Sequence, residues 1–97
     1  MENPVKEQTA YNKTLTLANT EYSQALPSST RELRFRCRTL FDVRFAWVIG
    51  KVATPTVPYF TLPAGCDYYS DNDDLTGKSL YLASSEAGVV VEIEVWI

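Results

Sequence analysis

The sequence predicts an all-β fold: a small antiparallel β-sandwich, jelly-roll-like or barrel-like, in a single domain. Three observations predict it. Apolar and polar side chains alternate with a period of two in several short runs, turn residues separate those runs at regular spacing, and no stretch carries a helical period. At 97 residues with 45% hydrophobic side chains, the chain is long enough for one modest core and too short for a second domain. Residues 1–12 are expected to form a flexible N-terminal arm and residues 13–97 the sandwich domain.

The elements follow in order. Thr14 to Ala18 is rich in β-branched residues and ends at Asn19-Thr20, which predicts a first strand. Tyr22 to Leu26 is a short second strand, broken by the turn chemistry of Pro27-Ser28-Ser29-Thr30. From Arg31 to Arg38, Leu33, Phe35 and Cys37 alternate with Arg34, Arg36 and Arg38, so one face is apolar and the other a row of guanidinium groups. Asp42 to Val52 is apolar on both phases, which predicts a strand buried on both sides and paired antiparallel with its predecessor through a turn at Thr39 to Phe41. Pro55 and Pro58 mark a loop over residues 53–58. Tyr59 to Leu62, Cys66 to Tyr69 and Ser79 to Ser84 are short strands, separated by Pro63-Ala64-Gly65 and by a polar loop from Ser70 to Gly77.

The last strand is the most regular. In Val89 to Ile97, the side chains of Val91, Ile93, Val95 and Ile97 fall on one face and those of Glu92, Glu94 and Trp96 on the other. The C-terminus is therefore expected to be structural, ending within the core.

Composition removes whole classes of chemistry. The chain has no histidine, so the commonest general base and metal ligand are missing, and so is any Ser/His or Cys/His dyad. Glu92 and Glu94 are two apart on one strand face and are expected to pair across strands with Arg34, Arg36 and Arg38 instead of acting as glycosidase carboxylates, each pair contributing about 0.2 to 1 kcal/mol. Asp71-Asn72-Asp73-Asp74 has the oxygen density of a calcium loop, yet Leu75 and Thr76 stand where an EF-hand needs a ligand and a glycine, so a solvated turn is expected. No catalytic residue, metal site or cofactor is predicted.

Charge is unevenly placed. Residues 31–51 hold six basic and two acidic side chains, whereas residues 67–97 hold seven acids against Lys78. The two segments attract, within one fold or between subunits. A net charge of −3 opposes binding to a polyanion, so no direct nucleic-acid contact is expected. No apolar run approaches the roughly 20 residues of a membrane helix, and the N-terminus lacks the basic start and apolar stretch of a signal peptide. Synthesis in a cytoplasm is expected. Cys37 and Cys66 suit a reducing compartment as packed thiols, with a single bridge left open.

Five segments carry a resemblance: Leu15 to Asn19; Tyr22 to Pro27; Arg44 to Val48 with Gly50-Lys51-Val52; Pro58 to Leu62; and Leu80 to Ser84 with the Val-rich terminal strand. Through them the chain from Thr14 to Trp96 resembles small β-rich proteins encoded among tailed-phage and prophage structural genes. The resemblance implies a non-enzymatic virion protein, made in the host cytoplasm: a capsid decoration or cement protein that binds the major capsid protein, often as a trimer. A tail or baseplate component is the neighbouring alternative, and a carbohydrate-binding module using Trp96 as an aromatic platform is another. The expected partner contacts are Asn3, Pro4, Val5 and Tyr11 in the arm, together with Trp96.

Overall fold

The computed structural model describes residues 8–70, 75 and 77–97. Eight strands are found among them: β1 (Gln8–Leu15), β2 (Tyr22–Ala25), β3 (Glu32–Cys37), β4 (Val43–Ala46), β5 (Phe60–Leu62), β6 (Asp67–Ser70), β7 (Ser79–Ala83) and β8 (Val89–Trp96). They form two four-stranded antiparallel sheets in the orders β1-β8-β3-β6 and β2-β7-β4-β5. First lies beside last, second beside seventh, third beside sixth and fourth beside fifth. That nesting is the order of an eight-stranded jelly roll, one of the two closures that the sequence leaves open.

Alternation along β3 and β8 builds the core. Leu33, Phe35 and Cys37 face Val43, Phe45, Leu80 and Leu82 of the other sheet, with Val89, Val91, Ile93 and Val95 filling the same layer. The Phe35 and Phe45 rings meet edge to face between the sheets at 5.0 Å. Thr30 is fully buried at one end, where its hydroxyl donates to the Pro27 carbonyl at 2.6 Å.

Four expectations change. β1 begins at Gln8 and pairs residue for residue with β8, from Gln8↔Trp96 to Leu15↔Val89, so residues 8–12 belong to the sandwich and not to an arm. The long β8 gives this edge strand a register partner along its whole length, with backbone hydrogen bonds at alternate residues, which outweighs their weak apolar pattern. The chain turns away at Leu15, so Leu17 lies on a loop, 61% exposed.

β3 and β4 are not a hairpin. They lie in different sheets, and β4 pairs with β5 and β7. β4 also stops at Ala46, although the alternation continues through Trp47 and Ile49. The β4–β5 loop instead folds back over the outer face of its sheet, where Val52 forms a small second core with Ala46 and Ala83, packed by Tyr59 and Tyr81. At the C-terminus β8 ends at Trp96, and Ile97 is partly exposed outside the core.

Candidate functional site

The outer face of the first sheet gathers the charged side chains. Register sets Arg34 level with Glu94 and Tyr69, and Arg36 level with Glu92 and Asp67. Arg34 donates to Asp67 Oδ2 from Nη2 at 2.6 Å and from Nε at 3.1 Å. Glu92 accepts from Arg36 Nε and from Arg38 Nη2, each at 3.1 Å. Arg38 reaches past β8 to Asn12 Oδ1 at 2.7 Å, and Gln8 donates to Glu94. The pairing expected of the arginine row is made within the chain for Glu92, which takes Arg36 and Arg38, whereas Arg34 pairs with Asp67 of β6 and Glu94 accepts from Gln8. The basic and acidic segments meet inside one sheet.

These partners decide the chemistry of the face. Hydrogen bonds from Arg38 and Arg36 hold the Glu92 carboxyl below its usual range, which keeps it ionised and unsuited to the proton donation that a glycosidase requires. Asp67 stabilises the Arg34 guanidinium and raises its pKa above the ordinary value. A shallow groove of 340 Å³ crosses the face between Asn12, Arg34, Arg38 and Glu94, but each arginine along it already has a carboxylate partner. A phosphate backbone would have to displace those carboxylates.

The depressed Glu92 pKa gives a pH prediction. Its contribution to stability is present above the unfolded carboxylate pKa of about 4.3 and is lost as pH falls through the lower folded value. Urea midpoints measured between pH 6 and pH 2.5 should fall more for the natural protein than for Glu92→Gln. Parallel curves for the two proteins would show that the Glu92 pairs contribute nothing to folding.

A second surface lies at one end of the sandwich. There the β1–β2, β3–β4, β5–β6 and β7–β8 loops are stitched together: Asn19 N donates to Ser84 O at 2.7 Å, Ser84 Oγ to Asp42 O at 3.1 Å, and Ala64 N to Asp42 Oδ1 at 2.8 Å. Asn19 and Leu40 adopt positive φ (50° and 60°), so these turns are sharply bent. On this braced end the chain leaves Leu17, Leu40 and Phe41 uncovered, at 61%, 67% and 44% exposure. Apolar side chains on tied-down loops are what a protein partner can bury without paying much ordering entropy.

The expected contact residues scatter. Asn3, Pro4 and Val5 lie outside the described residues, as does the acidic stretch 71–74. Tyr11, expected in a flexible arm, sits in β1 and packs against the core. Trp96 does point outward, level with Gln8 and Glu32, but it is half-buried; Phe60 and Tyr69 are more exposed rings. Sequence reasoning missed Leu17, Leu40 and Phe41. The adjacent Asn19 and Thr39-Leu40-Phe41 turn were visible signals, but nothing in the pattern separates an exposed Leu from a buried one.

No family model, curated protein or solved structure matches this chain. Function must therefore be argued from the surfaces.

Proposed function

We propose that the chain is a non-enzymatic structural protein of a tailed-phage virion, a capsid decoration protein that docks on the shell of major capsid protein and reinforces it. The observation that carries this reading is the apolar, hydrogen-bond-braced loop end with Leu17, Leu40 and Phe41 uncovered. Three features support it. The charged face is internally neutralised, the chain has no histidine, and jelly rolls recur in viral shells. That last point is an analogy of fold. Binding only to the assembled shell would stabilise it by mass action, each copy adding contacts across subunit boundaries. Three copies around a threefold position suit such a lattice.

The test uses the purified chain and purified, expanded heads of the phage whose genome encodes it, stripped of decoration protein and pelleted together. Saturable binding is expected, with Leu40→Asp/Phe41→Asp weakening it at least about tenfold while the circular dichroism spectrum stays unchanged. Failure of the folded natural protein to pellet with the heads overturns the proposal. Light scattering should give three times the monomer mass, free or on release from the shell.

A further inference from the structure

β3 and β6 pair antiparallel through Leu33↔Ser70, Arg34↔Tyr69, Phe35↔Tyr68 and Arg36↔Asp67. The ladder ends there, and extending its register by one step sets Cys37 opposite Cys66, the residue just before β6. Alternation places that pair on the core-facing side, the side on which the Phe35 and Tyr68 rings meet at 5.1 Å. Both thiols are free, Cys37 buried and Cys66 exposed, and both border one open groove of 220 Å³ beside Leu40 and Gly65.

The spacing that this register implies suits a bridge. Directly opposed residues of an antiparallel pair have Cα atoms about 4.5 or 5.5 Å apart, and disulfides span Cα separations of about 4.4 to 6.8 Å. Cys66 is delivered to this position by the turn that begins at Pro63, whose carbonyl accepts from Cys66 N at 3.1 Å, with Gly65 at φ 80°. That φ favours glycine at the third position of a type II turn. Cys37 Sγ lies 3.2 Å from Thr39 Oγ1, a weak contact that a bridge would replace. The site also has an entrance, because Cys66 lies at the free end of the β3–β6 pairing and is open to solvent.

We propose that Cys37 and Cys66 are a modification site: under oxidising conditions they form a cross-strand disulfide that fastens the β6 edge to β3. The oxidant is a small-molecule disulfide such as oxidised glutathione. The Cys66 thiolate attacks one of its sulfurs, forming a mixed disulfide and expelling one glutathione thiolate. The Cys37 thiolate then attacks the Cys66 sulfur, forming the Cys37–Cys66 bond and expelling the second. Two electrons pass from the protein thiols to the oxidant's sulfur–sulfur bond, and the two protons released are taken up by the departing thiolates. The bridge braces the turn beside Leu40, at the apolar loop end. It rests on the register alone and stands or falls independently of the docking partner.

The folded full-length chain is incubated with a mixture of oxidised and reduced glutathione, quenched with acid, and read by intact mass and non-reducing peptide mapping. The expected product is a monomer lighter by about 2 Da, carrying a Cys37–Cys66 cross-linked peptide. Its Tm should rise by roughly 10 °C, reversibly on adding reductant, because the bridge restricts the unfolded chain across residues 37–66. Cys66→Ser, an exposed and structurally mild change, should abolish both effects. A persistent glutathione adduct on Cys66, or Cys66–Cys66 dimers with Cys37 still reduced, would overturn the proposal.

Discussion

Phe35→Ala is expected to remove a large share of the folding stability. The side chain is 1% exposed and lies at the centre of the sandwich, edge to face with Phe45 at 5.0 Å and tilted against Tyr68 at 5.1 Å. Phe45 in turn touches Tyr68 at 5.0 Å and stacks on Phe60 at 5.4 Å, so the ring is one node of a four-ring cluster joining both sheets. Truncation leaves a cavity that rigid strands on either side cannot close, at a cost of about 3 to 5 kcal/mol. A domain of this size has only about 5 to 15 kcal/mol in total. Tm should therefore fall by roughly 15 to 30 °C. Phe35→Leu, which retains most of the volume, should cost less than half as much. Arg34→Ala, on the neighbouring outward position, breaks a solvent-exposed pair and should leave the melting temperature nearly unchanged. If thermal melts showed Phe35→Ala and Arg34→Ala to be equally mild, the inward and outward phases of β3 would be wrongly assigned.

How much of this was readable in the sequence depends on which signal each element carries. β3 and β8 are central strands with one buried face, so their alternation is strict, and Leu33, Phe35, Val91, Ile93 and Val95 were identifiable as core from spacing alone. The outward Arg34, Arg36, Arg38, Glu92 and Glu94 followed from the same phase. β1 was less readable, because an edge strand buries only part of its inner face: Tyr11 packs inward, but Thr9 and Lys13 occupy the same phase and blur it. Strand partners were not readable at all. The Thr39–Phe41 turn looks like a hairpin connection, yet it crosses from one sheet to the other, a choice made by the global nesting of eight strands and not by local turn chemistry. The same limit hid the juxtaposition of Cys37 and Cys66, which exists only once β3 and β6 are known to be neighbours in a particular register.

The candidate surface divides in the same way. Paired charges were inferable because opposite signs sat on outward phases of regular strands. The uncovered Leu17, Leu40 and Phe41 were not: Leu17 reads as the continuation of a strand, and the exposure of Leu40 and Phe41 depends on which strands their turn connects. The β4–β5 segment combines both difficulties. Trp47, Val48 and Ile49 extend an apolar run, but Trp47 still packs against the main core while Val48 and Ile49 are exposed at 48% and 69%. The loop that follows the strand is tied down by Arg44, three residues before Trp47.

Arg44→Ala is expected to release that loop. Arg44 points to the outer face of the second sheet, where Nε donates to Val52 O at 2.8 Å and Nη2 to Asn19 Oδ1 at 2.9 Å and Ala53 O at 3.4 Å. Glu21 supports the same loop by accepting from Gly50 N at 3.0 and 3.1 Å. Charge-assisted hydrogen bonds contribute about 1.5 to 3 kcal/mol each when their partners are screened from water, and the longest of these three adds little. Removing the guanidinium also weakens the satellite core of Ala46, Val52 and Ala83, so a loss of about 2 to 4 kcal/mol is expected. Part of the loss should be local. Amide exchange should accelerate over residues 47–59, and trypsin should cut after Lys51 well before it attacks the β1-β8-β3-β6 sheet. Arg44→Met separates the two contributions, since it keeps the apolar stem and loses every donor; it should expose Lys51 to trypsin nearly as much as alanine does. If Arg44→Met protected the loop as well as arginine, packing by the stem would hold it, and the three hydrogen bonds would be incidental.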